Sequence, residues 1–168
     1  VTAQLDIPSG KPITINLVVS GNAKKDVDYT LPLQLAIPAT LFSANSNLSS
    51  SVTLSALGDL LNEFDETVVI DIDTVVNGVE SGTQTQTVTL IDDDQLPTVT
   101  LSVTNNTITE TGGVSVVTAT LSAVVGRDVT VDLQKSGDAV SGVDYNLTSA
   151  AILIPEGAAS ASVTLTTI

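Results

Sequence analysis

The sequence predicts an all-β chain folded as two antiparallel β-sandwiches in tandem. Three observations predict it: short runs of alternating apolar and polar residues, turn-forming clusters between those runs, and one long internal repeat. A chain of 168 residues has enough length for two small cores.

The alternating runs come in order along the chain. Residues 1–7 (Val-Thr-Ala-Gln-Leu-Asp-Ile) alternate strictly, and so do residues 13–17, 69–73 and 99–103. A period of two puts every second side chain on one face, which is the signature of a half-buried strand. The runs are punctuated by Ser20-Gly21-Asn22, Asn77-Gly78, Ser81-Gly82, Thr111-Gly112-Gly113 and Ser136-Gly137-Asp138. No segment sustains a 3.6-residue period between caps, and only residues 57–64 suggest a helical turn. Strands at this spacing imply sandwiches.

The repeat sets the domain organisation. Residues 1–31 align without a gap on residues 117–147, an offset of 117 − 1 = 116, with 14 of the 31 positions identical. Ser51-Val52-Thr53-Leu54 recurs as Ser162-Val163-Thr164-Leu165, an offset of 162 − 51 = 111, so the first copy holds 116 − 111 = 5 extra residues within 30–43. Repeats this long mean one sandwich per copy. The expected domains are residues 1–94, a linker of Gln95, Leu96 and Pro97, and residues 98–168. On this reading the first copy lacks its opening strand and the second its last strands, so the chain is a window cut from a longer polypeptide. The uncovered edge left in residues 98–168 is expected to favour self-association.

Composition removes whole classes of function. Nineteen Asp and Glu against five Lys and Arg give a net charge of −14, the reverse of what a nucleic acid partner requires. Cys, His, Met and Trp are absent, so disulfides, thiolate nucleophiles and imidazole zinc sites are excluded. With four aromatic residues (Tyr29, Phe42, Phe64 and Tyr145) the chain is poorly equipped to line a sugar cleft, and no enzymatic activity is expected. No apolar run approaches 18 residues. Asn47-Leu48-Ser49, Asn105-Asn106-Thr107 and Asn146-Leu147-Thr148 match glycosylation sequons, a chance product of a Ser/Thr/Asn-rich composition.

The acidic residues carry the available chemistry. Asp28, then Asp59 and Glu63, then Asp92, Asp93 and Asp94 fall between strands of the first copy. Alternate loops of a sandwich meet at one end, so these three groups are expected to converge. Clustered carboxylates repel by ~4 kcal/mol per close pair at an effective dielectric of 20. A hard divalent cation relieves that repulsion, and Ca2+, with 6–8 oxygen ligands in flexible geometry, suits it better than Mg2+. Asp71 and Asp73 alternate with Ile70 and Ile72 and are read as a solvated strand face, and Tyr29 and Tyr145 as core or corner tyrosines.

The ordered motifs resemble the Calx-beta domain family. They are Asp28-Tyr29, Gly58-Asp59-x-x-x-Glu63-x-Asp65-Glu66-Thr67 running into Val68-Val69-Ile70, and Val88-Thr89-Leu90-Ile91-Asp92-Asp93-Asp94. In the second copy Ile108-Thr109-Glu110-Thr111-Gly112-Gly113 resembles the family's opening strand end, followed by Asp144-Tyr145 and Ile154-Pro155-Glu156-Gly157. The resemblance implies seven-stranded, immunoglobulin-like sandwiches with a calcium site at the C-terminal end of the domain. Carried over by position, the ligands are Asp28, Asp59, Glu63, Asp92, Asp93 and Asp94, with the carbonyl of Leu61. Gly58-Asp59 stands where exchanger sensor domains carry two acids, which argues against a multi-ion cluster. The second copy retains only Glu110 and Asp144, an incomplete site. The resemblance also implies a calcium-binding structural or adhesive repeat of a large cell-surface or extracellular protein, next to further repeats, with calcium rigidifying the inter-domain junction. The alternative is a calcium-sensor regulatory domain of a sodium–calcium exchanger-like membrane protein.

Overall fold

A computed structural model describes residues 1–40 and 48–168. Among the described residues every regular element is a strand, and all paired strands are antiparallel. The chain forms two compact units: Val1–Asp59 with Asp65–Ile91, and Leu60–Phe64 with Asp92–Ile168. The second unit thus begins before the expected linker and also takes in the short segment Leu60–Phe64.

The first unit holds β1 (Thr2–Gln4), β2 (Ile13–Gly21), β3 (Tyr29–Thr30), β4 (Gln34–Ile37), β5 (Ser49–Ser51), β6 (Ser55–Ala56), β7 (Glu66–Val76) and β8 (Gln86–Leu90). One sheet runs β4-β2-β7-β8, and the pairs β1-β5 and β3-β6 are separate ladders. The alternation read from residues 13–17 buries Ile13, Ile15 and Leu17, which pack with Leu35, Ile37, Val68 and Ile70. Ala3, Leu5, Val52 and Leu54 close on the same core. A bulge falls where Asn16 pairs Thr74 but Leu17 pairs Ile72, leaving Asp73 as the extra residue of β7. Asp71 accepts a hydrogen bond from the Thr85 hydroxyl at 2.9 Å, so it covers its strand face as part of a cross-strand bond.

The second unit holds β9 (Val99–Val103), β10 (Val114–Leu121), β11 (Val129–Asp132), β12 (Tyr145–Leu147), β13 (Ala151–Ile154) and β14 (Ser160–Thr167). Its sheets are β12-β14-β10-β9 and β11-β13. Ala119, Leu121, Val125, Ile152, Ile154 and Val163 form its core.

The pairings recur at the offsets of the sequence repeat. Thr2 faces Ser51 as Thr118 faces Ser162, and Tyr29 faces Ala56 as Tyr145 faces Thr167. Ile13 faces Ile37 as Val129 faces Ile154, although 154 − 37 = 117, so the second unit holds one extra residue before β13. The extra length of the first copy therefore falls between β4 and β5, a stretch that includes residues 41–47, outside the described residues; Asn47 of the first sequon lies there too. Residues 57–64 form no helix; the Asn62 carbonyl instead accepts from Gly126 N–H (3.1 Å).

Tyr29 is only 1% exposed, whereas Tyr145 is half-buried. Burial raises the Tyr29 phenol above its ordinary pKa; Lys25 opposes the rise, and Asp26 and Asp28 add to it. The unfolded chain releases this proton first, near pH 10, so stability is intact below that value and falls as pH climbs through the folded pKa. Urea midpoints between pH 8 and pH 11 should show the fall, and Tyr29→Phe should blunt it.

Candidate metal centre

Asp28 belongs to a loop that closes on itself. Its carboxylate accepts the Lys24 N–H, its own N–H donates to the Lys24 carbonyl (2.9 Å), and Asp26 N–H donates to the Tyr29 carbonyl (2.8 Å). The Asp28 carbonyl accepts from Leu57 N–H at 2.8 Å. The second unit repeats this loop bond for bond. Asp144 accepts the Val140 N–H (2.6 Å), Gly142 N–H reaches the Tyr145 carbonyl (2.7 Å), and Ile168 N–H reaches the Asp144 carbonyl (3.1 Å). The turn residue needs positive φ in both, 67° at Asp26 and 83° at Gly142. The shared Val-Asp-Tyr signature is therefore a loop-closing device in each unit, whatever else the carboxylates bind.

Asp92, Asp94 and Glu63 are organised by a residue that the sequence reading passed over. Asn62 is 6% exposed. Its amide nitrogen donates to the Asp92 carboxylate (2.6 Å) and to the Asp94 carbonyl (2.9 Å). Its amide oxygen accepts from the Arg127 guanidinium (2.6 Å), which also lies 5.2 Å from the centre of the Phe64 ring. Gly126 lets the neighbouring Glu63 side chain approach, since a Cβ at Gly126 would overlap its carboxylate. A base thus reaches an acidic neighbourhood that held neither Lys nor Arg in the sequence. No pattern in the sequence signals this contact between residues 65 apart.

The expected ligands are divided between the two units: Asp28 and Asp59 in the first, Glu63, Asp92, Asp93 and Asp94 in the second. Asp59 and Asp93 are exposed, as are Glu110, on the turn before β10, and Asp144. Among the described residues no three acidic side chains lie together as a group able to hold a metal ion. The arrangement does not fit a preformed calcium cage. Repulsion between carboxylates favours their separation when no cation binds them.

Asn62→Ala removes the amide that joins Asp92, Asp94 and Arg127. It is expected to lower stability by about 1–2 kcal/mol, because the half-buried partners regain only part of their hydrogen bonding from water. Urea unfolding followed by circular dichroism measures it; an unchanged midpoint would remove Asn62 from its place as an anchor. In comparison with known proteins, no family model and no curated protein matches this chain.

Proposed function

We propose that the chain is a calcium-binding structural repeat of a larger cell-surface or extracellular protein, built from two Calx-beta-like sandwiches in tandem. The observation that carries this reading is the recurrence of strand register and of the Asp-closed loop at offsets of 116 and 111 residues. Two copies of one rigid module serve spacing and display, and the chain carries neither a Cys thiolate nor a His imidazole.

Calcium enters this reading through charge. The acidic loops carry the ligand type that Ca2+ prefers, and a net charge of −14 draws cations to the surface. Binding would offset the repulsion among clustered carboxylates. It would also hold Asp92, Asp93 and Asp94 where the chain leaves β8 for β9, stiffening that passage. Calorimetric titration of the full chain with Ca2+, repeated in excess Mg2+, tests it. Saturable Ca2+ binding that survives Mg2+ is the expected result; no saturable heat, or equal competition by Mg2+, defeats the calcium assignment.

A further inference from the structure

We infer that Asn77-Gly78 is a site of spontaneous covalent modification, at which the folded chain deamidates Asn77 to isoaspartate or aspartate. Asn77 is the one asparagine of the sequence that glycine follows. It stands directly after β7, at the start of the connection 77–85 to β8. Asn77 and Gly78 are exposed, and their neighbours Val76 and Val79 are 50% and 93% exposed, so water surrounds the dipeptide.

The backbone leaves the reacting nitrogen accessible. The ladder to β2 ends where Thr14 faces Val76, and the ladder to β8 where Ile70 faces Gln86. Asn77 then turns the chain with φ 62°, a left-handed conformation that asparagine adopts more readily than most residues. Among the described residues no hydrogen bond holds the Gly78 N–H. Glycine also lacks the Cβ that would crowd its nitrogen. The Asn77 amide donates to the Pro12 carbonyl at 2.9 Å, the one bond that has to open before the side chain can meet Gly78. Other asparagines are held back. The Asn62 amide is buried and bonded through both its nitrogen and its oxygen. Asn16 is bonded to Thr74 and Gln34. Asn22 accepts from Thr67, and the Ala23 nitrogen that would attack it is bonded to the Thr67 carbonyl.

The reaction needs only water and base from the solvent. Base removes the Gly78 amide proton, the nitrogen bonds to Asn77 Cγ, and the Cγ–Nδ2 bond breaks. Nδ2 takes a proton from water and leaves as ammonia. The five-membered succinimide then adds one water. Cleavage of its bond to the backbone carbonyl carbon leaves Gly78 attached through Cγ, which is isoaspartate. Cleavage of the bond to Cγ gives aspartate.

Either product breaks a tie between β7 and the entry to β2. A carboxylate at position 77 meets the Pro12 carbonyl as acceptor against acceptor, so the bond between them is lost. Isoaspartate also adds a methylene to the main chain where space is short: the Cβ position of Gly78 lies 3.0 Å from Val75 Cγ1 and 3.6 Å from Ile13 Cγ2. The disturbance therefore falls on Ile13, which is buried, and on the Thr14–Val76 pair at the end of the β2-β7 ladder.

The test holds the full chain at mildly alkaline pH, in buffer and in urea, and maps its peptides by mass spectrometry over time. A gain of one mass unit is expected on the peptide containing Asn77 before any other described asparagine changes. The same peptide should take up methyl groups from an isoaspartate-specific methyltransferase. Because one hydrogen bond has to open, the chain in buffer should react at most about tenfold more slowly than the chain in urea. Gly78→Ala should slow the reaction severalfold in urea as well as in buffer, a comparison that holds whether or not the variant folds. Asn77→Asp, which makes one product directly, should speed amide exchange at the start of β2 and leave β10 unchanged. Reaction confined to urea, modification first at another described asparagine, an unchanged rate in Gly78→Ala, or unchanged exchange in Asn77→Asp would each overturn the proposal.

Discussion

Replacing Tyr29 by alanine is expected to destabilise the first unit by about 3–5 kcal/mol, the range for emptying a fully buried aromatic site. Tyr29 packs in the core with Ile13, Leu31 and Ile70 and is 1% exposed. Its backbone also closes the Asp28 loop through the bond from Asp26 N–H and pairs with Ala56 on β6. Loss of the ring therefore removes packing and loosens the loop that carries Asp28. Tyr145→Ala, at the equivalent but half-buried position, should cost under about 2 kcal/mol because less apolar surface leaves water there. With two units, unfolding need not be a single transition, so amide exchange should be read separately in β2 and β10. Equal losses from the two substitutions would contradict the burial argument.

Calcium is expected to raise the melting temperature by roughly 10 °C when its free concentration is one hundred times the dissociation constant. A ligand that binds only the folded state adds about 2.7 kcal/mol at that ratio, and a domain of this size shifts by at least 4 °C per kcal/mol. Chelator should reverse the gain. Asp93 is exposed, so its loss leaves the fold itself little changed. Asp93→Ala should thus melt near the chelated wild type but respond less to calcium, because a ligand is gone while repulsion is also relieved. Asn62→Ala provides a contrast: it should lower the midpoint with and without calcium, since Asn62 anchors Asp92 and Asp94 by hydrogen bonds. If the wild-type midpoint ignores chelator, or Asp93→Ala keeps the whole calcium shift, the calcium proposal fails.

The sequence by itself determined where these strands lie, and in the first unit which face is buried. Residues 13–17 open β2 and residues 69–73 lie within β7, each with a buried side; residues 99–103 are β9, but all five are exposed and not half-buried as their alternation predicts. It also determined the register of the recurring pairs, because a strand shifted by one residue turns its apolar set outward. Thr2 with Ser51 and Thr118 with Ser162 therefore keep the offsets of the repeat. Only the tertiary structure decided where the polar side chains end. Asn62 and Arg127 are 65 residues apart and meet because loops without periodicity bring them together. Leu60–Phe64 belongs to the second unit although the chain on both sides of it belongs to the first. The Asp28 carboxylate turns inward to its own loop, and β11 stops at four residues where β2 runs to nine. Periodicity encodes which face is buried, a property of each strand taken singly. Hydrogen bonds between distant side chains, and the presence of a neighbour at a strand's edge, depend on the path of the whole chain, which no local pattern carries.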